Sequence, residues 1–370
     1  MKQYLKRKPS PPRATNPPPP PTPSTTVPCL TGLANLGNTC FLNSVIQVLA
    51  QTSELHQTIH VISDITNPRM VNVNHLLTCE CKGLLQMMSE HHSIIAPNRF
   101  VQVVQLVSKA KGYSVFADYA QNDVSEFLVF LFDCIHTALA KPVQVRINGK
   151  VENQKDEIAI KCYEAVRDTY AKGYSQIYAK FYGMSFIEIV SKEEPSIVLS
   201  RKFEHYFLLD LPMPSPEVKT PTLYDCFDQF VFPELLDGDN AWYNDKTKTK
   251  QAVYKKTFFW NFPEILIINL KRYKDIVRKD QRLVECPVTT DLSLSKYSVS
   301  YNSPNYRYKL YAVCNHSGSS ILGGHYTACV SPKEFPGQWF QCNDTLVTPI
   351  RVHQVVTHQT SCLFYRRCPS

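Results

Sequence analysis

Cys40 and His325 stand near opposite ends of the 370-residue chain, each in a segment built to present a reactive side chain. A fold that uses both has to bring its two ends together in one body. The first segment reads Gly32-Leu33-Ala34-Asn35-Leu36-Gly37-Asn38-Thr39-Cys40-Phe41-Leu42-Asn43-Ser44. A polar, glycine-containing turn precedes the thiol, and Leu42, Val45, Ile46 and Leu49 follow at the spacing of a helix with one buried face. This places the sulfur at or near a helix N-terminus, where free N–H groups and the macrodipole favour the thiolate. An inert core cysteine is the ordinary alternative.

The downstream segment sets that alternative aside. It reads Gly323-Gly324-His325-Tyr326-Thr327-Ala328, followed by Trp339-Phe340-Gln341-Cys342-Asn343-Asp344. The glycine pair permits a tight turn that exposes the imidazole, and Tyr326–Val330 and Trp339–Cys342 read as successive strands. A hairpin between them returns Asn343 to the side of His325, where an amide oxygen accepts from the ring N–H and fixes its tautomer. Asp344, the next residue, is a second candidate for that place. A cysteine near the N-terminus with His and Asn near the C-terminus is the papain-like order of roles.

Three further stretches complete a pattern: Tyr119-Ala120-Gln121-Asn122-Asp123-Val124-Ser125-Glu126-Phe127-Leu128, Leu235-Leu236-Asp237-Gly238-Asp239-Asn240 with Trp242-Tyr243, and Pro263-Glu264-Ile265-Leu266-Ile267-Ile268-Asn269-Leu270-Lys271-Arg272-Tyr273. Together, in this order from about Leu30 to Arg366, the five motifs resemble the ubiquitin-specific protease family. The resemblance implies a papain-like α+β domain of helical thumb, β palm and extended β fingers. It implies a thiol-dependent deubiquitinase cutting isopeptide and peptide bonds after the C-terminal glycine of ubiquitin, with ubiquitin and ubiquitinated proteins as partners. Cys40 is then the nucleophile, His325 the acid/base, Asn343 its orienter and Asn35 the oxyanion donor. Asp123 is expected to meet an arginine of the ubiquitin tail, with Gly323, Gly324 and Tyr326 beside the tail and Ser317–Gly324 forming a mobile loop over it. Unaided, the sequence reads Asn35 as a turn residue and Asp123 as a helix cap.

The chain departs from the family at the fingertips. Many relatives bind a structural zinc there through two Cys-x-x-Cys pairs, but the corresponding positions here are Ser191 and Glu194, then Asn244 and Thr247. No zinc and no other cofactor is expected. Cys79 and Cys81 with His75, His91 and His92 lack the usual ligand spacing and read as ordinary core and surface residues. Asn122 and Ser125 also replace residues common in the family, which touches recognition more than chemistry.

Composition bounds the rest. With 44% hydrophobic and 11% aromatic residues the chain can bury a large core. Thirteen cysteines without a secretory pattern point to reduced thiols in cytosol or nucleus. No apolar run approaches the roughly 20 residues that span a bilayer. The net charge of +8 is concentrated early, since Lys2, Lys6, Arg7, Lys8 and Arg13 precede the first acid, Glu54, and no base-aromatic pattern suggests nucleic acid. Residues 1–28 form a proline-dominated segment, and 29–370 are assigned to one catalytic domain, expected to be a monomer. The segment reads as a disordered spacer, a nuclear address at Lys6-Arg7-Lys8-Pro9, or a docking site for a partner. Two other readings of the body are a protease for another ubiquitin-like modifier and a catalytically silent ubiquitin-binding scaffold.

Overall fold

The computed structural model describes residues 30–62, 72–90, 93–273, 275, 278–301, 305–320 and 323–369. The proline-rich segment and His91-His92 therefore lie outside the described residues. Seven helices come first: α1 (Cys40–Ala50), α2 (Ser53–Ile59), α3 (Val73–Glu90), α4 (Asn98–Lys111), α5 (Val124–Leu139), α6 (Gln154–Lys172) and α7 (Gln176–Phe181). An eighth, α8 (Leu223–Val231), sits among strands β1 (Gly183–Ser191), β2 (Val198–Tyr206), β3 (Leu208–Pro212), β4 (Glu234–Leu236), β5 (Trp242–Asn244), β6 (Thr249–Gln251), β7 (Val253–Asn261) and β8 (Ile265–Lys271). The chain ends in β9 (Leu292–Ser293), β10 (Arg307–Ser320), β11 (Gly323–Val330), β12 (Trp339–Asn343), β13 (Leu346–Ile350) and β14 (Thr360–Arg367). Helices first and strands later make the expected α+β domain.

The large sheet runs β13-β12-β11-β10-β14-β8-β3, antiparallel except for the β3–β8 edge. Its central strands are largely buried on both faces, and β8 shows how the sequence encodes this. Ile265 and Ile267 point into a core shared with the helices, while Leu266, Ile268 and Leu270 point into a second core with Cys226 and Phe227 of α8. Period-2 alternation between two apolar faces leaves a continuous hydrophobic run. The smaller sheet, β2-β1-β7-β4, carries α6, whose Ala159 and Cys162 pack on Met184, Phe186 and Trp260.

The helix α1 occupies the junction. Every residue from Cys40 to Leu49 is buried, including the polar Asn43, Ser44 and Gln47. It lies against β11, so the first helix and the strand of His325 meet directly. Such all-round burial is what a central helix requires, and its polar residues must find partners inside. Gln47 Nε2 does so at Thr31 O, 2.7 Å away, fixing the chain where it enters the body.

Two elements with weak sequence patterns are well formed. The segment around Cys162 is a 19-residue helix, opened by a capping box in which Asn153 and Asp156 bond each other's backbone N–H. The strand β7 carries Lys255 and Lys256 in its middle, which breaks the apolar pattern. It is nonetheless paired with β1 along its length. One expectation is corrected: Ser317–Ser320 and Gly323-Gly324 are not loop but strand, with Ser317 opposite His325 and Ser320 opposite Gly323. Ile321 and Leu322 lie outside the described residues. Serines and glycines permit mobility, but cross-strand pairing and side-chain anchors from another segment take up these backbone groups.

Candidate active site

The turn before α1 is built around one amide. Asn35 Oδ1 accepts from the backbone N–H of Gly37 (3.0 Å) and of Thr39 (3.1 Å), and from the Thr39 hydroxyl (3.3 Å). Gly37 and Asn38 have positive φ, +104° and +54°, which completes the reversal into the helix. Gly32 is required for a different reason: a Cβ there would meet Thr345 O at 2.2 Å. That close approach lets Leu33 donate its N–H to Asp344 O at 2.9 Å, bringing the Cys40 loop and the β12–β13 turn together.

Asn343 and Asp344 divide the work of that turn. His325 Nε2 donates to Asn343 Oδ1 at 2.7 Å, which leaves Nδ1 as the free, basic nitrogen. Asp344 Oδ2 is 4.0 Å from the same Nε2 and accepts instead from Asn35 Nδ2 at 3.0 Å. Its other oxygen accepts from Asn43 Nδ2 at 2.8 Å. Asp344 has φ +48°, a conformation that Asp and Asn adopt more readily than other residues with a side chain.

Cys40 is 4% exposed and opens α1. Burial, together with the Asp344 charge, pushes its thiol above the ordinary cysteine value, against a lowering contribution from the Tyr326 backbone. The N–H groups at the helix start do favour the thiolate, as the sequence suggests, but desolvation of the anion outweighs them. Activation has to come from a neighbouring cation. Among the described residues no hydrogen bond joins Cys40 Sγ to the His325 ring; α1 packs on β11, and the backbone of Tyr326, next to His325, lies by the thiol.

The other predicted residues line the approach to this centre. Asp123 caps α5 by accepting from Ser125 N–H at 2.7 Å, and its second oxygen accepts from Tyr326 OH at 2.9 Å. Gln121 Oε1 accepts from Gly324 N–H at 2.7 Å, while its Nε2 reaches Asn38 Oδ1 at 3.4 Å. Gln121 thus spans the two walls of the cleft. Beside α5 opens a cavity of about 290 Å³ whose lining includes Phe116, Phe130, Leu208, Ser125, Glu126 and Asp210. Its walls are largely apolar, with carboxylates at Glu126 and Asp210.

Sequence reasoning missed Asn43, Gln121, Lys279 and His316. Asn43 was detectable as a polar residue on the apolar side of α1, one turn after Cys40. At the fingertips, Asn244 accepts from Lys246 N–H and donates to Gln251 Oε1, while Ser191 Oγ accepts from Glu194 N–H. Among the described residues no cluster of three or more His, Cys, Asp or Glu is placed to hold a metal ion. Cys81 is buried in α3, its thiol pushed up to about 12 by burial.

A buried thiol at a helix start, packed against a strand whose imidazole is held by a side-chain amide, is the arrangement of a papain-like fold. Residues 31–365 match the family model described as "Ubiquitin carboxyl-terminal hydrolase", and the chain belongs to that family. It is 32% identical to human ubiquitin carboxyl-terminal hydrolase 2 over 96% of this chain and 58% of that protein. The chicken (Gallus gallus) protein of the same name is 31% identical over 91% of this chain and 93% of its own length. Saccharomyces cerevisiae ubiquitin carboxyl-terminal hydrolase 5 is 28% identical, with 45% of its length matched. The chain thus spans little more than half of the human relative. A chain of the SAGA DUB module Ubp8/Sgf11/Sus1/Sgf73 bound to monoubiquitin shares the fold, with TM-score 0.66 at 21% identity over 94% of this chain and 72% of that one.

Proposed function

We propose that this chain hydrolyses the isopeptide or peptide bond that follows the C-terminal glycine of ubiquitin, through a Cys40 thioester. The observation that carries the reading is the hydrogen-bonded unit Asn35–Asp344 and Asn343–His325. Two consecutive residues of one turn hold the side chain beside the nucleophile's loop and the base.

The chemistry follows from the donors available. His325 Nδ1 takes the Cys40 proton, and the imidazolium offsets the cost of a buried thiolate. The thiolate attacks the glycine carbonyl carbon. The oxygen that becomes negative takes the second N–H of Asn35 Nδ2, the first being held by Asp344, together with the free backbone N–H of Cys40. The imidazolium then gives its proton to the leaving lysine amine as the C–N bond breaks. Water, deprotonated by Nδ1, attacks the thioester, and the released thiolate is reprotonated as the carboxylate product departs. The chain's free cysteines suit cytosol or nucleus, the compartment proposed here.

Recognition is assigned to the acidic cleft along α5. Asp123, Glu126 and Asp210 favour a basic tail, and Gln121, bonded to Gly324 N–H at 2.7 Å, would have to release this contact if the tail passes there. The test is labelling by ubiquitin carrying a thiol-reactive C-terminal electrophile, alongside Cys40→Ala and the same probe built on another modifier. Labelling of the wild type alone by the ubiquitin probe is expected. Reaction with only the other probe would reassign the modifier, and reaction with neither in a folded protein would leave a silent binding module.

A further inference from the structure

The strand β10, which pairs with the strand of His325, is held at its open end by side chains rather than by another strand. On its side away from β11, β10 pairs with β14 only from Tyr308 to Asn315. His316 N–H still reaches Gln359 O at 2.8 Å, but β14 has then ended. The carbonyls of His316, Gly318 and Ser320 meet side chains from another segment on this vacated side, although the pairing with β11 shifts register between Ser317 and Ser320.

All three are taken up by two residues from the segment after β8. Lys279 Nζ donates to His316 O at 2.6 Å and Gly318 O at 3.3 Å. The Tyr273 hydroxyl lies 3.3 Å from Ser320 O and 2.9 Å from His316 Nδ1, and Lys279 Nζ is 3.3 Å from the same nitrogen. Tyr273 and Lys279 are themselves partners in an antiparallel bridge, so both side chains leave from one anchored point. Burial and the Lys279 charge push His316 down to about 4, so its ring is neutral near pH 7 and Nδ1 is an acceptor.

The ring of His316 transmits this hold to the site. It packs on Tyr326 with centroids 4.5 Å apart. Its Nε2 lies so close to Gly324 that a Cβ there would stand 2.2 Å from it. Gly324 and Tyr326 flank His325, and Ser317, next to His316, is paired with His325 across the hairpin.

We propose that Lys279 and Tyr273 are positioning residues for His325, standing in for the strand that β10 lacks beyond Asn315. The inference rests on the reading of His325 as the base. Lys279→Met removes both carbonyl contacts, and a small displacement of a reacting group is enough to cost on the order of 10- to 100-fold in rate. The loss falls more on kcat than on KM, since the carboxylates along α5 are untouched while Gly324 and Tyr326, beside the proposed tail, move with His325. Lys279→Arg restores most of it, because a guanidinium also donates to several carbonyls. Tyr273→Phe lowers kcat by a smaller factor in the same direction.

The experiment measures kcat and KM on a ubiquitin C-terminal fluorogenic amide for these variants in the full chain, with thermal unfolding to confirm folding. Amide hydrogen exchange is followed in the same samples across 316–326. Faster exchange there in Lys279→Met, a kcat loss and rescue by Arg are expected. Unchanged kcat in a folded Lys279→Met, or unchanged exchange over 316–326, overturns the proposal. A wild type that does not turn over the ubiquitin substrate would sink the functional reading instead, while exchange still decides whether Lys279 holds the hairpin.

Discussion

Asp344 binds Asn35 and not the base: its Oδ2 accepts the Asn35 amide at 3.0 Å and stays 4.0 Å from His325 Nε2. Its other oxygen holds Asn43. The carboxylate therefore aims the oxyanion donor, while the amide before it orients the imidazole.

Asp344→Asn isolates this role. Asparagine tolerates the φ of +48°, so the turn survives, but its amide offers one acceptor where two Nδ2 donors converge. A kcat loss of roughly 10- to 100-fold with little change in KM is expected, below the order of 100- to 1,000-fold for removing an oxyanion donor by Asn35→Ala. Steady-state kinetics on the fluorogenic ubiquitin amide checks it. Equal losses in KM and kcat would count against an oxyanion role.

Asp123 carries two duties that one substitution separates. Asparagine caps a helix about as well as aspartate, whereas alanine costs about 1 kcal/mol. Asp123→Asn should keep the stability of the wild type within a few tenths of a kcal/mol, yet lose more than about tenfold in kcat/KM for a basic-tailed substrate. Denaturant unfolding and kinetics, measured together, decide. A variant with normal kcat/KM would reduce Asp123 to a cap.

Cys40 should be slow to react on its own. Since burial raises its thiol, alkylation by iodoacetamide in His325→Ala is expected to accelerate only above the ordinary cysteine pKa of about 8.5. In the wild type an imidazolium partner would let alkylation begin at lower pH. Coincident pH profiles for the two proteins would remove His325 from the activation of Cys40.

Glu54 and Arg366 join α2 to β14 through two contacts of 2.8 and 2.9 Å, with Lys333 nearby. Burial raises the Glu54 carboxyl, but the Arg366 bonds and charge outweigh it and hold the group below the usual range. A depressed carboxyl contributes stability that is present above its unfolded pKa of about 4.3 and is lost as pH falls through the folded value. Glu54→Gln should cost roughly 1 to 3 kcal/mol at pH 7, because the partly buried Arg366 loses its counter-charge. Urea unfolding should show the gap to wild type closing below about pH 4; a gap independent of pH would refute the linkage.

Much of this was legible in one dimension. The helix after Thr39, the cap at Asp123 and the hairpin that returns Asn343 to His325 all rest on short-range rules of period, turn and cap, which act within a few residues. The strand β8 and the α+β order followed from the same patterns. The long polar helix α6 and the strand β7 were harder, since each buries only part of its surface and Lys255-Lys256 masks the alternation.

What sequence order alone determined is the inventory: a thiol before a helix, an imidazole on a hairpin, an amide beside it and an asparagine in a turn. Tertiary structure decided their state and their wiring. The raised Cys40 thiol depends on how much water the packed core excludes. The bonds of Asp344 to Asn35 and Asn43, and of Lys279 to the carbonyls of β10, join segments far apart in the chain. Local rules fix which groups a segment offers. Desolvation and long-range hydrogen bonding, which exist only once the chain has closed on itself, fix what those groups do.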